Sequence, residues 1–150
     1  MRNKLLGFTF LSIAILFMNG CSAKGPQFNG FKKPINGNAN VYLYRTSYLG
    51  AAVIPDIHII DLSNNKDKIL GTIKPNGYIM TTIKPGKYKF WARTEAKNEV
   101  QIEAYSNKIY CIENYISIGF VVGHPQFRFV DMEECKKDIK ETKLSISKKE

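Results

Sequence analysis

The stretch KYKFWART, residues 87–94, alternates apolar and charged side chains and is the clearest β-strand pattern in the chain. Successive side chains of a β-strand point to opposite faces of a sheet. One face of this strand is expected to be core: Tyr88, Phe90 and Ala92. The other face is polar and includes the single tryptophan of the chain: Lys87, Lys89, Trp91 and Arg93.

The next run, residues 99–105, alternates in the same way and predicts the partner strand of a hairpin. Pairing residue 93 with 99 and residue 89 with 103 brings the apolar faces of the two strands together. This register places Arg93 beside Glu99 and Lys89 beside Glu103, and each pair contributes roughly 0.2–1 kcal/mol. A slip of one residue would place charged side chains against the core, so the register is a definite prediction.

Short β-branched and aromatic runs continue along the chain, separated by turn residues such as Pro85-Gly86. They predict strands at residues 41–46, 53–62, 68–73, 77–83, 87–94, 99–105, 108–118 and 127–131. A helix is expected over residues 132–141, where acidic residues lead and lysines trail. We therefore predict an all-β fold, a small antiparallel β-sandwich of about seven or eight strands with a short C-terminal helix.

The N-terminus has the organisation of a secretory leader. Two basic residues precede an uncharged run at residues 5–18, which is shorter than the roughly 20 residues of a membrane-spanning helix. The sequence Met18-Asn19-Gly20-Cys21 resembles the lipobox of bacterial lipoproteins, which implies cleavage before Cys21 and lipid on its sulfur and amine. The alternative is an ordinary secretory leader that ends near a cysteine. Ser22 favours an outer-membrane anchor, because inner-membrane lipoproteins usually carry Asp there.

Four segments are expected: a signal peptide at 1–20, a lipidated flexible tether at 21–40, the β-sandwich domain at 41–135 and a basic C-terminal tail at 136–150. The tether prediction rests on Gly, Asn, Lys and Pro without periodicity. The formal charge of +9 falls by two with the leader and favours anionic partners. We expect contact with the membrane through the lipid, and another envelope protein or peptidoglycan as partner. Nucleic acid is not expected outside the cytoplasm.

Cysteine use predicts a disulfide. Once Cys21 carries lipid, Cys111 and Cys135 remain as an even pair in an oxidising compartment. Closing a loop of about 25 residues would contribute about 3 kcal/mol to stability. The alternative is a buried free Cys111 and an unrelated Cys135.

Motifs of catalysis are missing from the sequence. His58 and His124 stand in no metal-ligand spacing, and no phosphate loop, zinc-protease signature or nucleophile elbow occurs. We therefore predict no catalytic residue, no metal and no cofactor. The candidate binding face is Trp91 with Lys89 and Arg93, which share one side of their strand. The alternative is that Trp91 packs beneath the C-terminal segment.

Five short motifs carry a family resemblance: Ala39-Asn40-Val41-Tyr42-Leu43-Tyr44-Arg45, Ile59-Ile60-Asp61, Leu70-Gly71-Thr72, Asn76-Gly77-Tyr78 and Pro85-Gly86-Lys87-Tyr88. In this order they resemble the prokaryotic lipoproteins of the domain of unknown function 2846 family, over about residues 39–131. The motifs mark turns and strands, so the resemblance implies an envelope location and supplies no activity. The Pro-Gly-x-Tyr step is also similar to transthyretin-like sandwiches, which favours the fold.

Three hypotheses of function follow. The first is a membrane-anchored envelope lipoprotein, facing the periplasm, that acts as a non-enzymatic binding or interaction module. The second is an envelope hydrolase acting on cell-wall carbohydrate or peptide, which would need a deep pocket with two carboxylates or a His–carboxylate pair. The third is direct contact of the lysine-rich tail with lipid, which would be sensitive to salt.

Overall fold

The computed structural model describes residues 22–145. The predicted signal peptide, the lipid-attachment residue Cys21 and residues 146–150 lie outside this range. Nine strands and one helix occur within it: β1 (Ala39–Arg45), β2 (Asp56–Asp61), β3 (Lys66–Thr72), β4 (Gly77–Ile83), β5 (Gly86–Arg93), β6 (Lys97–Ala104), β7 (Ile109–Ser117), β8 (His124–Val130), α1 (Met132–Ile139) and β9 (Lys143–Leu144). No helix in this range is long and apolar enough to cross a membrane.

The strands form two facing sheets. One has the order β8-β7-β1-β4-β9 and the other the order β3-β2-β5-β6. Neighbouring strands are antiparallel, except that β1 runs parallel to β7 and β4 parallel to β9. The predicted all-β sandwich with a short C-terminal helix is confirmed. All eight predicted strands are present in the described residues, and the short β9 adds a ninth.

The main core lies between the sheets. β1 contributes Val41 and Leu43 to it, and the facing sheet contributes Ile57 and Phe90, all four of them fully buried. The alternation of β5 is as predicted, because Tyr88, Phe90 and Ala92 all point into this core. Burial of this apolar surface is the main driving force for sandwich formation.

A second apolar cluster covers the outer face of the five-stranded sheet. Tyr42 and Tyr44 of β1 point away from the main core, and Phe28 and Phe31 of the N-terminal segment pack beside them. Phe28 and Phe31 both meet the Tyr42 ring edge to face, with centroids 5.9 and 5.0 Å away. Both faces of β1 are therefore buried, which explains why the whole strand is inaccessible to solvent.

The flexible-tether prediction for residues 21–40 is wrong for the described part of that segment. Ala23 N–H donates to the carbonyl of Pro75, and Phe28 N–H donates to the carbonyl of Thr142. Ala23 itself is only 3 % exposed. The segment is held because its aromatic side chains find the tyrosine cluster on the sheet, a contact between residues distant in sequence.

The basic-tail prediction for residues 136–150 is also wrong where the chain is described. Residues up to 139 complete α1, and Lys143–Leu144 form β9 beside β4. The sandwich domain thus extends beyond the predicted limits 41–135. α1 begins after Asp131, whose carboxylate accepts from the N–H groups of Glu133 and Glu134. Such a cap satisfies donors that the first helical turn leaves free.

The predicted disulfide between Cys111 and Cys135 is present, with Cα atoms 6.2 Å apart. It joins β7 to α1, and both cysteines are fully buried. Arg128 supports the same junction, since its guanidinium donates to the carboxylates of Glu113 on β7 and Glu134 on α1. The helix is consequently fastened to the outer face of the five-stranded sheet.

The predicted register of the β5–β6 hairpin is wrong by two residues. Arg93 pairs with Lys97, and Lys89 pairs with Gln101. The turn is shorter than expected, because Thr94 N–H donates to the carbonyl of Ala96 and β6 begins immediately afterwards. A shift of two residues keeps every side chain on its predicted face.

Candidate functional site

The outer face of the four-stranded sheet is open in the part of the chain that the structure describes. Neither the N-terminal residues 22–38 nor α1 lies on it, whereas both cover the other sheet. Side chains of all four strands contribute to this face, with Ile69 of β3 54 % exposed. We call it the open face and define it by His58, Ile69, Lys89, Trp91, Arg93, Lys97 and Glu99.

Trp91 lies at the centre of the open face. His58 pairs with Trp91 across β2 and β5, and the two rings are stacked with centroids 3.9 Å apart. On the β6 side, the Nζ atom of Lys97 lies 4.6 Å from the Trp91 ring centroid. A cation above an indole ring is attracted to the negative face of the ring. The ring thus stands between an imidazole and an ammonium group.

The alternative that Trp91 packs beneath the C-terminal segment is wrong for the described part of that segment, because α1 and β9 belong to the other sheet and its outer face. Full exposure is not observed either, since Trp91 is half-buried by its neighbours on the face. Its Nε1 atom is buried without an acceptor among the described residues. A buried donor without a partner costs free energy.

Charged side chains surround the stacked pair. Glu99 lies 2.8 Å from Lys89 Nζ and 3.3 Å from Lys97 Nζ. The hydrogen bond from Lys89, followed by that from Lys97, lowers the pKa of Glu99. Arg93 is exposed at the end of β5, beside Lys97 of β6. The predicted set Lys89, Trp91 and Arg93 therefore does lie on one face, as its alternation in the sequence requires.

His58, Ile69 and Lys97 are members of the open face that the sequence did not identify, and His58 contacts Trp91 directly. Its outward orientation follows from its position between Ile57 and Ile59, but its contact with Trp91 depends on β2 lying beside β5. His58 Nδ1 also lies 3.2 Å from Asp67 Oδ1 of β3, so one row of side chains crosses three strands. Strand order of this kind leaves no local signal in the sequence.

A cleft of about 290 Å³ opens between the two sheets, along the edge formed by β3 and β4. Lys66, Lys68, Thr81 and Asp61 contribute polar groups to its wall. Asp61 is its only lining carboxylate, and hydrogen bonds from Ser63 lower the pKa of that group. A general acid needs a raised pKa, and the hydrolase hypothesis needs two acid–base groups in one pocket. The pKa of Asp61 is not raised, and the described lining of the cleft holds neither a second carboxylate nor a histidine to pair with it.

The second histidine is also paired with a carboxylate, outside this cleft. His124 Nε2 lies 3.1 Å from Glu95 Oε2, which joins the β5–β6 turn to the β7–β8 loop. The hydrogen bond from His124 lowers the pKa of Glu95. Among residues 22–145, no three His, Cys, Asp or Glu side chains are grouped as a metal site would require.

Arg45 is buried at the end of β1, where its charge is balanced by backbone carbonyls. Its guanidinium donates to the carbonyls of Ser47, Leu49, Gly50 and Val53, at distances of 2.8–3.1 Å. Burial lowers the pKa of this guanidinium from its ordinary value. Arg45 therefore holds the β1–β2 loop in shape and is inaccessible to a ligand.

Within the described residues, fold and face together define a small disulfide-linked β-sandwich with one sheet covered by the N-terminal residues 22–38 and α1 and the other sheet open. The chain belongs to the family described as Protein of unknown function (DUF2846), whose model matches residues 35–125. It is 33 % identical over 118 residues to a Haemophilus influenzae protein described as "Uncharacterized protein", covering 78 % of this chain and 67 % of that protein. No solved structure matches. The predicted family is thus confirmed, and nothing in either description indicates catalysis.

Proposed function

We propose that this protein is an envelope lipoprotein, anchored in the outer membrane through lipid on Cys21, whose domain faces the periplasm and acts as a non-enzymatic binding module. The open face is the binding site in this proposal. Its partner is peptidoglycan or another envelope protein. The lipobox-like sequence before Cys21 supports the anchor.

One observation carries the binding role: the unequal covering of the two sheets. The chain uses its N-terminal segment and α1 to bury the outer face of one sheet. Nothing between residues 22 and 145 covers the other sheet, although Trp91, His58 and Ile69 lie there. Tryptophan is enriched among residues that dominate binding energy, because it buries a large area with little loss of entropy.

Lys97 is the residue of the open face that a ligand would displace in this proposal. Its side chain is 40 % exposed, and it lies over the Trp91 ring from the β6 side. A sugar ring or an apolar side chain of the partner would take the place of this ammonium group. The buried Nε1 atom of Trp91 would then gain an acceptor from the ligand, and Arg93 would pair with a carboxylate. Peptidoglycan carries both sugar rings and carboxylates.

The test is crosslinking in intact envelopes, followed by capture, with sedimentation on isolated peptidoglycan as a second arm. Wild-type protein is expected to capture a specific protein or to sediment with the polymer. Trp91→Ala should weaken this binding about tenfold or more, since it removes the central residue. Trp91→Phe should bind more strongly than Trp91→Ala, because an aromatic ring that can stack on His58 is retained.

Tyr105→Ala is the matched control, since Tyr105 is an exposed aromatic residue on the β6–β7 turn. It should bind as wild type does. Arg93→Glu reverses the charge that is proposed to pair with a carboxylate of the ligand. Arg93 is exposed, so this substitution leaves the core intact. If Trp91→Ala and Tyr105→Ala bind equally well, the open face is not the site. If nothing is captured in either arm, the binding module is refuted and wall fragments should be screened for hydrolysis.

A further inference from the structure

Exposed apolar side chains are concentrated at one end of the sandwich. The β7–β8 loop presents Ile118, Phe120 and Val121 with 86, 101 and 79 % of their surfaces exposed. Tyr48 and Leu49 of the β1–β2 loop are 59 and 57 % exposed. We call these five residues the apolar tip. Contiguous apolar surface of this kind marks a contact with a protein or a membrane.

The two loops of the apolar tip lie beside each other. A side chain at Gly50, next to Leu49, would collide with Ile116 of β7. A side chain at Gly123 would collide with the same isoleucine. The two loops are therefore packed around Ile116, and their exposed side chains belong to one surface.

The β7–β8 loop is also held in place, so its exposure is a fixed feature of the fold. Thr94 Oγ1 donates to the carbonyl of Gly123, and Glu95 accepts from His124 and from the N–H of Val121. The polar groups of the neighbouring turn are thus occupied by the backbone and histidine at the base of the loop. The apolar side chains are left pointing outward.

The described chain begins at this same end. Gly77, the first residue of β4, pairs with Arg45, the last residue of β1. Ala23 N–H donates to Pro75 just before Gly77, and a Cβ on Gly77 would lie 2.9 Å from the Cβ of Ala23. Cys21 is two residues earlier in the chain, and two residues span at most about 7 Å. A lipid on Cys21 would emerge at this end of the sandwich.

The apolar tip extends past the point where the lipid would emerge. β7 runs parallel to β1, with Glu113 beside Tyr44. It therefore continues about 10 Å, or three residues, beyond the level of Arg45 before its loop begins. β4 and β7 are both neighbours of β1, so the sideways separation is about 10 Å, or two strand spacings. Lys24 and Lys74 lie near Ala23 on the same end and suit anionic head groups.

We infer that the apolar tip inserts into the bilayer that holds the Cys21 lipid, so that the domain has two points of membrane contact and a fixed orientation. This inference rests on the proposed function, because the lipid brings the tip to the membrane. In this orientation the strands of the sandwich point towards the bilayer. The open face is then parallel to the membrane normal and stays accessible from the periplasm.

The test measures how deep the tip lies in vesicles. Full-length lipidated protein carrying Trp91→Phe and Phe120→Trp is reconstituted in phosphatidylethanolamine–phosphatidylglycerol vesicles with or without brominated acyl chains. Bromine in the acyl region should lower the emission of the residue 120 tryptophan about twofold or more, since inserted apolar groups reach the acyl boundary. The matched control is Trp91→Phe with Tyr105→Trp, on the β6–β7 turn at the opposite end, whose emission should not change.

Flotation of the vesicles separates the two ways in which the inference fails. If the protein floats and its residue 120 tryptophan is quenched no more than the control, the apolar tip does not insert, although the anchor stands. A second copy or another protein would then be its partner. If the protein does not float, the Cys21 anchor is absent and the inference fails together with the proposed function.

Discussion

At the scale of single residues, Arg45 is the clearest example of a charged side chain with a structural role. It is fully buried, and four backbone carbonyls of one loop accept hydrogen bonds from its guanidinium. The guanidinium geometry, with five donors in a fixed plane, allows one side chain to satisfy four carbonyls. Without it, the carbonyls of Ser47, Leu49 and Val53 would lose this donor, whereas the carbonyl of Gly50 also accepts from the N–H of Val53.

Arg45→Met should therefore lower the free energy of unfolding by about 2–4 kcal/mol, because the loop carbonyls lose their donors. Urea unfolding measures this change. Arg93→Met makes the same chemical change at an exposed position and should alter stability by less than about 0.5 kcal/mol. Equal stability of the two variants would show that the Arg45 hydrogen bonds do not stabilise the loop.

The alternation of residues along a strand predicts which side chains share a face of the sheet, but it does not predict which side chains of neighbouring strands are in contact. Lys89, Trp91 and Arg93 share one face as expected, because the period of a strand is two. Neither the stack of Trp91 on His58 nor the contact with Lys97 could be predicted in this way. Both depend on which strands are neighbours, and on a turn whose hydrogen bonds fix a register two residues away from the predicted one.

At the scale of elements, the disulfide and the Arg128 ion pairs decide where α1 lies. The helix is only two turns long and would be unstable alone in water. Its attachment to β7 keeps the second apolar cluster covered, including Tyr44 and Ile139. The even cysteine pair in the sequence was sufficient to predict this link, although the site of contact on the sheet was not.

Replacing both Cys111 and Cys135 with alanine should lower stability by about 3 kcal/mol, since an unfolded chain without the loop constraint gains entropy. Thermal unfolding with and without reductant checks this expectation. Reductant should lower the melting temperature of wild-type protein and leave that of the double variant unchanged. A wild-type melting temperature that does not respond to reductant would contradict a structural role for the disulfide.

At the scale of the whole molecule, residues 22–38 and 132–145 complete one side of the sandwich, and the described part of the chain leaves the other side open. The N-terminal segment had no periodicity to reveal this, because Phe28 and Phe31 act as single anchors rather than as an element. The strands and their inward faces were predictable from local pattern. The covering of the outer face of the five-stranded sheet was not predictable, since it brings together residues more than a hundred positions apart.

This architecture has two distinct surfaces, to which we assign different roles in the proposed function. The open face gathers charged and aromatic side chains on one sheet, whereas the apolar tip lies at the end where the chain leads to Cys21. The proposed anchor, the tip and the binding face would together fix how the domain stands on its membrane. The proposed anchor and the contact of the tip with the bilayer require a lipid at Cys21, whereas the open face does not.

The most direct test is the mass of the N-terminal peptide from protein extracted from membranes, produced from the full chain with its own leader. We expect a peptide that begins at Cys21 and carries acyl groups, and we expect the Cys21→Ser variant to be absent from the acylated fraction. A peptide that begins elsewhere, or at an unmodified Cys21, would contradict the proposed lipid anchor.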